Sequence, residues 1–212
     1  MVRLSFSTLN TTIQAPHTYI NKMLGMKTFS IQAFEDGKKI HKIIQDHCSG
    51  VTPHKLLASV PTFSVVETMD FDPKMRIEFP VNDKYSMNGF VDMLDPKTKT
   101  FGEIKSGKAW SAGEFARTPQ WKIYAVGLPE YKKVYLINTP KDEKLWMPET
   151  IRIFNKDITE EDKQQAMDFI QKGIAVIENI RDEVDKEMAM RKEKGWTGRS
   201  RSCFYEECNF CK

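Results

Sequence analysis

Three charged residues near the middle of the 212-residue chain have the types and spacing of a metal-dependent hydrolytic site. Asp92 stands in the apolar run 89–94, and Glu103 and Lys105 stand in a second run, 100–105. Because side chains alternate between the faces of a strand, Glu103 and Lys105 are predicted to point the same way. Two carboxylates suit a hard divalent cation such as Mg²⁺, which completes its shell with water and substrate phosphate. The ammonium group adds positive charge where negative charge develops on a phosphate.

The two runs are predicted to form a β-hairpin, because residues 95–98 between them have the pattern of a turn. Pro96 has the fixed φ that favours the second position of a type I or type II turn. If the hairpin closes on this turn, Asp92 lies opposite Glu103, while Ile104 points to the other face. The two carboxylates and the ammonium group then meet at one end of the hairpin.

An exposed hairpin with ordinary surface charges is the alternative interpretation, since the pattern Glu-x-Lys is weak evidence by itself. The same pattern occurs at 130–132, after a proline in a loop, and at 161–163, where a polar helix begins. Only the copy at 103–105 lies in an apolar strand with an acid on the partner strand. That context favours the catalytic interpretation.

Composition and charge describe a globular protein. The apolar fraction is 40%, the charged fraction is 29% and the net charge is +3, so any basic surface must be local, as at 97–108 or 186–201. The length predicts one domain over 1–212, with 195–212 as a cysteine-bearing tail. No stretch has the pattern of a signal peptide or a transmembrane span, so a cytoplasmic, intracellular protein without membrane contact is expected.

The N-terminal part of the chain is predicted to be helical over 4–25 and 31–51. Residues 4–25 are predicted to form a short helix capped by Ser7 or Thr8, and then a second helix with Pro16 in its first turn. Residues 31–51 are predicted to form a longer helix, which ends before Pro53.

The longer helix carries Ile40, Ile44 and Cys48 on one side, at four-residue spacing. His41 lies one residue away from that stripe. A lone histidine in this position is ordinarily a core or boundary residue, and the residues alone leave that reading open beside a functional one.

Strands are predicted to follow at 64–69, 75–79 and 85–94. Glu78 stands inside the second of them. An outward-facing residue of an alternating strand is favoured there over a metal ligand.

The second half is predicted to contain a helix that begins at Pro119, and in it Gln120 and Tyr124 share a face because they are four residues apart. Strands are predicted at 133–138 and 144–154.

The last predicted helix begins after Thr159 and runs to about residue 190. Its apolar stripe consists of Ala166, Phe169, Ile170, Ile174, Ile177 and Val184. Together these elements predict an α/β fold with a mixed central sheet flanked by helices, a helical N-terminal part and a long C-terminal helix.

Four aromatic or basic residues follow the charged trio: Trp110, Phe115, Arg117 and Trp121. Such side chains can stack on the bases of a single nucleic-acid strand. They can equally belong to the core, and the core is favoured for Phe115.

The four cysteines are Cys48, Cys203, Cys208 and Cys211. Three of them fall within the last ten residues, and in an intracellular protein such a cluster indicates metal ligands rather than disulfides. Zn²⁺ held by these thiolates, with His47 as a further candidate, fits the Cys-x-x-Cys pair. Reduced cysteines without a metal are the alternative.

The order of these motifs resembles the PD-(D/E)XK nuclease superfamily, and within it the RecB-like exonuclease branch, which includes the CRISPR-adaptation and many phage exonucleases. Gly37 and His41 resemble the Gly-x-x-x-His helix of that branch, and residues 89–92 resemble its Gly-x-x-Asp strand. Glu103-Ile104-Lys105 matches the acidic motif, and Gln120 with Tyr124 matches the helix that follows it. The resemblance covers nearly the whole chain, and it implies a restriction-endonuclease-like core.

The resemblance also implies roles for individual residues. Asp92 and Glu103 would bind Mg²⁺ or Mn²⁺, with His41 and the Ile104 carbonyl completing the site. Lys105 would orient or activate the attacking water. Gln120 and Tyr124 would support that lysine or contact DNA, so the catalytic set would be Asp92, Glu103, Lys105, Gln120 and Tyr124.

The function implied is a metal-dependent DNA exonuclease that acts on single-stranded or duplex ends in DNA processing, repair or recombination. A structure-specific or restriction-type endonuclease is one alternative, and a non-catalytic DNA-binding subunit is another. The intact trio argues against the second alternative. The sequence does not indicate the oligomeric state.

Several relatives in this branch hold an iron–sulfur cluster with one upstream and three C-terminal cysteines. The present chain would use Cys48 with Cys203, Cys208 and Cys211. It departs from the pattern in two ways, because Ala15 stands where the upstream cysteine is found and because the longer C-terminal gap comes first. An iron–sulfur cluster is nevertheless favoured over Zn²⁺.

Overall fold

A central β-sheet with helices on both faces forms the part of the chain that the computed structural model describes, residues 1–16, 31–60, 63 and 72–193. The strands are β1 (Val2–Ser5), β2 (Asp72–Pro80), β3 (Tyr85–Asp95), β4 (Thr100–Ser106), β5 (Lys133–Thr139) and β6 (Arg152–Asp157). The helices are α1 (Phe6–Gln14), α2 (Ile31–Cys48), α3 (Lys55–Ser59), α4 (Ala112–Arg117), α5 (Pro119–Gly127) and α6 (Glu160–Glu193). The predicted α/β class, with a long C-terminal helix, is confirmed.

The sheet is mixed. Its strands lie in the order β1-β3-β4-β5-β6, and β2 pairs with β3. The β1–β3 and β4–β5 pairs are parallel, whereas β2–β3, β3–β4 and β5–β6 are antiparallel. Parallel neighbours need a crossover connection, and between β4 and β5 that connection contains α4 and α5.

Strand β3 is the branch point of the sheet. Its pairing with β2 extends from Ser86 to Leu94 along one edge. A strand has only two edges, so β1 and β4 share the other. There β1 pairs with residues 85–88 and β4 pairs with residues 93–95. Residues 89–92 therefore lie at a split between two neighbouring strands.

Alternating side chains of β5 show how the sheet divides the core into two layers. Tyr135 and Ile137 pack with Ile40 and Ile44 of α2 on one face. Val134 and Leu136 pack on the opposite face, in the cluster that contains Trp121 and Tyr124 of α5. This period of two is the geometry of a strand buried on both faces.

Helix α6 covers the remaining part of the second face. The members of its predicted stripe whose burial is described are Ala166, Ile170, Ile174 and Ile177, all buried, and Phe169, which is partly buried. Thr159 caps the helix, since its Oγ1 accepts a hydrogen bond from the N–H of Asp162 at 3.2 Å. The predicted start, cap and buried face of this helix are confirmed.

The helical segment predicted from Leu4 begins too early, because Leu4 and Ser5 belong to the strand Val2–Ser5. These residues form β1, in parallel register with residues 85–88, and Leu4 is buried. The cap of α1 is consequently Ser5, whose Oγ accepts from the N–H of Thr8. Four residues are too short a run to show strand alternation by themselves, so their pairing with β3 decides their conformation.

The predicted strand over 144–154 is wrong in its first part. A 3₁₀ turn at Glu143–Leu145 precedes Trp146, and β6 begins only at Arg152. The indole of Trp146 donates to the carbonyl of Pro140, which holds this segment as a loop. The other predicted strands of the described chain are confirmed, whereas those at 64–69 and the helix after Pro16 lie outside the described residues.

Candidate active site

The predicted hairpin between β3 and β4 is present. Oδ1 of Asp95 accepts hydrogen bonds from the N–H groups of Lys97 (2.9 Å) and Thr98 (3.3 Å). Lys99 closes the turn with a φ of 55°. The backbone pairs Met93 with Gly102. One position further along the two strands, Asp92 therefore lies opposite Glu103, as predicted.

Regular backbone pairing between β3 and β4 ends at Met93. Beyond that point a side-chain oxygen of Asp92 takes the place of a backbone acceptor. Oδ2 of Asp92 accepts a hydrogen bond from the N–H of Ile104 at 2.9 Å. The carboxylate is thereby fixed against the backbone between Glu103 and Lys105. The Ile104 side chain points into the α2 layer of the core, opposite to the charged pair.

Helix α2 contacts Asp92 at two points. Nδ1 of His41 lies 3.2 Å from Oδ1 of Asp92. One turn later Nε2 of Gln45 donates to the main-chain carbonyl of Asp92 at 2.6 Å. Gln45 was not among the predicted site residues, although its spacing of four residues from His41 indicates that both share a face of the helix.

Glu103 is almost fully buried, at 2% exposure. Its Oε1 accepts a hydrogen bond from Nζ of Lys105 at 2.6 Å, whereas no donor among the described residues reaches Oε2. Burial raises the pKa of the Glu103 carboxyl to about 7, the ammonium of Lys105 opposes this, and the charge of Asp92 adds to it. A buried acid with one unpaired oxygen is costly unless something else binds there.

Lys105 is held by a chain of hydrogen bonds that extends onto α5. Its Nζ donates to Oε1 of Gln120 at 2.5 Å, and Nε2 of Gln120 donates to the Tyr124 hydroxyl at 2.9 Å. The shared face of Gln120 and Tyr124 is confirmed. Burial, together with the nearby charge of Glu103, raises the pKa of Tyr124, so its hydroxyl remains neutral.

The ring of Tyr124 lies directly on the backbone of Gly89. A Cβ at position 89 would stand only 2.7 Å from a ring carbon of Tyr124. Gly89 is thus needed for close packing of α5 on β3, three residues before Asp92.

A buried asparagine on β5 organises the loop that follows Lys105. Nδ2 of Asn138 donates to the carbonyls of Lys105 and Lys108, each at 3.0 Å, and its Oδ1 accepts from the N–H of Trp110 at 2.8 Å. Asn138 is 2% exposed. It was missed by the sequence analysis, since no local pattern relates it to a loop about 30 residues earlier.

The aromatic residues after the trio divide into two groups. Phe115 and Trp121 are buried in contact with each other, and the Trp121 indole donates to the carbonyl of Phe115 at 2.8 Å. The base-stacking alternative is therefore wrong for Trp121, while the core assignment of Phe115 is confirmed. Trp110 is only half-buried, and Arg117 is exposed.

Glu78 faces outward, as predicted. It forms ion pairs with Arg3 and Arg76 on the exposed side of β2.

The donor set at the hairpin fits a hard divalent cation by chemistry. In residues 1–16, 31–60, 63 and 72–193 no three His, Cys, Asp or Glu side chains are gathered into a ready-made metal cluster. Here Asp92 is bonded to His41 and to the Ile104 N–H, and Oε1 of Glu103 is bonded to Lys105. Oε2 of Glu103 is a buried carboxylate oxygen that no donor of the described residues reaches, which is the kind of atom that a divalent cation binds.

Cys48 is buried in the apolar cluster beneath α2, beside Ile44. Cys203, Cys208 and Cys211 lie outside the described residues, so the predicted metal at these cysteines stays a prediction. Nδ1 of His47 accepts from the N–H of His54 at 3.0 Å.

Among the helices of the described ranges, none combines the length and apolar character needed to span a membrane.

Comparison with solved structures shows that the fold is similar to that of LHK-Exo. An alkaline exonuclease from Laribacter hongkongensis, LHK-Exo, aligns with a TM-score of 0.51 at 10% identity over 90% of this chain and 94% of that one. Its complex with dAMP gives the same TM-score at 11% identity over 91% and 93%. A phage-related exonuclease from Haemophilus somnus aligns at 0.43 with 12% identity over 88% and 96%. No protein-family profile and no curated protein sequence matches the chain.

The fold that the resemblance implied is thereby confirmed. Identities of this size do not transfer residue roles.

Proposed function

We propose that the protein is a divalent-metal-dependent deoxyribonuclease that hydrolyses phosphodiester bonds from DNA ends. The observation that carries this proposal is the buried Glu103 carboxylate, with one oxygen held by Lys105 and the other unpaired. Asp92 lies beside it on the partner strand. Two acids and a lysine thus lie together where the sheet splits. This arrangement suits metal-assisted phosphate hydrolysis better than it suits a purely structural ion pair.

Three side chains would hold Mg²⁺ or Mn²⁺: Asp92, Glu103 and His41, with the carbonyl of Ile104 as a further ligand. Such a cation, when bound, neutralises phosphate charge and lowers the pKa of a bound water. Gln45 and the Ile104 N–H keep Asp92 in place, which is the support that metal ligands normally require.

Lys105 orients the attacking water and stabilises the charge that develops on the phosphate. Gln120 positions its ammonium group, and Tyr124 positions Gln120 in turn. A neutral Tyr124 hydroxyl cannot serve as the base, so its role in this scheme is support.

DNA is the proposed substrate, in the form of single-stranded or duplex ends. LHK-Exo, which shares the fold, has been observed in complex with dAMP, a nucleoside monophosphate that DNA hydrolysis releases. DNA processing, repair or recombination is the matching role. One nuclease domain over 1–212, with residues 195–212 as a tail, is the arrangement that we propose.

The test is cleavage of end-labelled single-stranded DNA, end-labelled duplex and a closed circle, each with Mg²⁺ and with Mn²⁺. We expect mononucleotide or short products from the linear substrates and an intact circle. Cleavage of the circle would instead indicate an endonuclease. DNA binding without cleavage of any substrate would indicate the non-catalytic alternative.

A lysine variant separates water activation from metal binding. We expect Lys105→Ala to lower kcat by about 10²- to 10³-fold, the loss typical of one electrostatic contact to the transition state. Metal affinity, measured by calorimetry, should change little.

At the C-terminal cysteines we propose a bound iron–sulfur cluster, with Zn²⁺ as the second candidate. The support is the number of cysteines, one upstream and three near the C-terminus, together with the position of Cys48 at the end of α2. A metal there would tie the tail to that helix.

A further inference from the structure

Trp110 separates two clefts on the surface just beyond Lys105. The larger cleft has a volume of about 520 Å³ and is lined by Trp110 together with Arg152, Ile153 and Phe154, among others. The smaller, of about 270 Å³, lies between Trp110 and Arg117. One half-buried indole thus forms a wall of both.

The main chain of Trp110 is anchored on both sides. Asn138 accepts from the Trp110 N–H, and Nη1 of Arg152 donates to the Trp110 carbonyl at 3.0 Å. The ring also packs against the apolar cluster that contains Phe115. A tryptophan that is held in this way loses little conformational freedom when a flat group stacks on it.

The charges around the two clefts are mainly positive. Lys108, Arg117 and Arg152 line them, against one carboxylate, Glu114. Glu114 pairs with Lys108 at 2.5 Å, which leaves both arginines to contact an anion. Exposed arginines beside an aromatic ring form the combination that tracks the backbone of a single strand and stacks its bases.

The loop that carries Trp110 is tied to the strand end that carries Lys105. The Asn138 amide bonds to Lys105 and Lys108 carbonyls as well as to Trp110, so one buried side chain ties the lysine to the loop. Trp110 therefore follows Lys105 by five positions in a loop whose course is set from the same buried side chain.

We propose that Trp110 is a base-stacking residue for a single DNA strand, with Arg117 and Arg152 contacting its phosphates. This inference rests on the proposed nuclease function. It adds that the DNA is single-stranded where it contacts the protein next to the proposed catalytic site. Trp110 and the arginines are accordingly binding residues, and Asn138 is a positioning residue.

The test uses the full chain and oligonucleotides that carry 2-aminopurine near the labelled end, with binding measured in Ca²⁺ and turnover in Mg²⁺. We expect Trp110→Ala to weaken single-strand binding by about 5- to 150-fold, the range for one lost base–aromatic stack. KM should rise accordingly with kcat within about threefold, and 2-aminopurine quenching should be lost. Trp110→Phe should keep most of the affinity, because a ring is retained.

Two further variants control for surface effects and for folding. Leu145→Ala removes another exposed apolar side chain, 57% exposed and outside both clefts, and should leave binding unchanged. Arg117→Gln should reduce the slope of log affinity against log salt by about 1 without loss of structure. The Arg117→Gln variant tests the same proposed path of the single DNA strand if the Trp110→Ala protein fails to fold.

The outcomes separate this inference from the nuclease proposal. One outcome would overturn the inference alone. In it, the wild-type protein cleaves DNA, and the Trp110→Ala and Arg117→Gln proteins bind single strands within twofold of the wild-type affinity. An equal loss of affinity for blunt duplex and single strand would overturn the strand assignment. Wild-type protein that neither binds nor cleaves DNA would overturn both proposals.

Discussion

The carboxylate of Asp92 accepts a hydrogen bond from the backbone N–H of Ile104, at 2.9 Å. A side chain thus takes the place of a backbone partner where β3 and β4 separate. Because Ile104 stands between Glu103 and Lys105, this bond sets the position of both charged residues relative to Asp92. The split in the sheet and the proposed catalytic site are the same feature.

Removal of either acid is expected to abolish cleavage. Glu103→Ala and Asp92→Ala should each lower kcat/KM by at least about 10²-fold and reduce Mn²⁺ affinity, because each removes a charged ligand. Glu78→Ala is the matched control, an exposed acid on the adjoining strand β2 that should leave both quantities unchanged. Wild-type cleavage rates in folded Glu103→Ala protein would show that the active site is elsewhere.

The buried Glu103 carboxyl predicts a dependence of stability on pH in metal-free protein. Its pKa rises from the ordinary 4.5 when unfolded to about 7 when folded, because burial disfavours the charge. The folded state therefore binds the extra proton between these values, and its free energy of unfolding falls as pH rises from about 4.5 to about 7. Above about pH 7 the buried carboxylate is charged in the folded state, and the full cost of burying that charge lowers the free energy of unfolding.

Glu103→Gln removes that cost and should stabilise the metal-free protein at pH 8. A gain of about 1–2 kcal/mol corresponds to a Tm increase of roughly 2–8 °C. The gain should shrink at pH 5, where the wild-type carboxyl is neutral in the folded state. Thermal melts in EDTA at both pH values measure it, and equal Tm values at pH 8 would contradict the buried-charge assignment.

His41 is predicted to be a metal ligand as well as a partner of Asp92. His41→Ala should weaken Mn²⁺ binding by about 10- to 100-fold, and millimolar Mn²⁺ should restore part of the activity. Lys42→Ala, one position along the same helix and exposed, serves as the control. Unchanged metal affinity in folded His41→Ala protein would return this residue to a structural role.

Gly89→Ala tests the packing of Tyr124 on β3. The added methyl would stand 2.7 Å from the ring, so we expect a loss of about 1–3 kcal/mol in stability and a lower kcat, since Tyr124 supports Gln120 and Lys105. At Gly37 on α2 a Cβ would meet its nearest neighbour, Oγ of Ser106, at 3.7 Å. Gly37→Ala should therefore be neutral or stabilising by up to about 1 kcal/mol. Chemical denaturation of both variants makes the comparison.

The cysteine prediction is tested on anaerobically purified protein. A cluster would make it brown, with broad absorbance near about 400 nm from iron–sulfur thiolate ligation. Colourless protein with stoichiometric zinc would assign Zn²⁺ instead. Metal analysis that finds neither element, in folded and active protein, would remove the tail site.

The sequence by itself determined the hairpin, its charged trio and the face shared by Gln120 and Tyr124. Strand alternation, turn chemistry around Pro96 and the four-residue spacing of a helix act between near neighbours, so a single sequence displays them. The resemblance added His41, for which the residues alone favoured a core or boundary role.

Only the tertiary structure decided which distant groups support that site. Gln45 reaches the Asp92 carbonyl across 47 positions, Asn138 binds a loop about 30 residues earlier, and Val2–Ser5 is a strand because β3 offers it an edge. The buried, unpaired oxygen of Glu103 likewise arises from the packing of two layers on the sheet. Hydrogen bonding and burial depend on separation in space, and no pattern within one segment of chain encodes that separation.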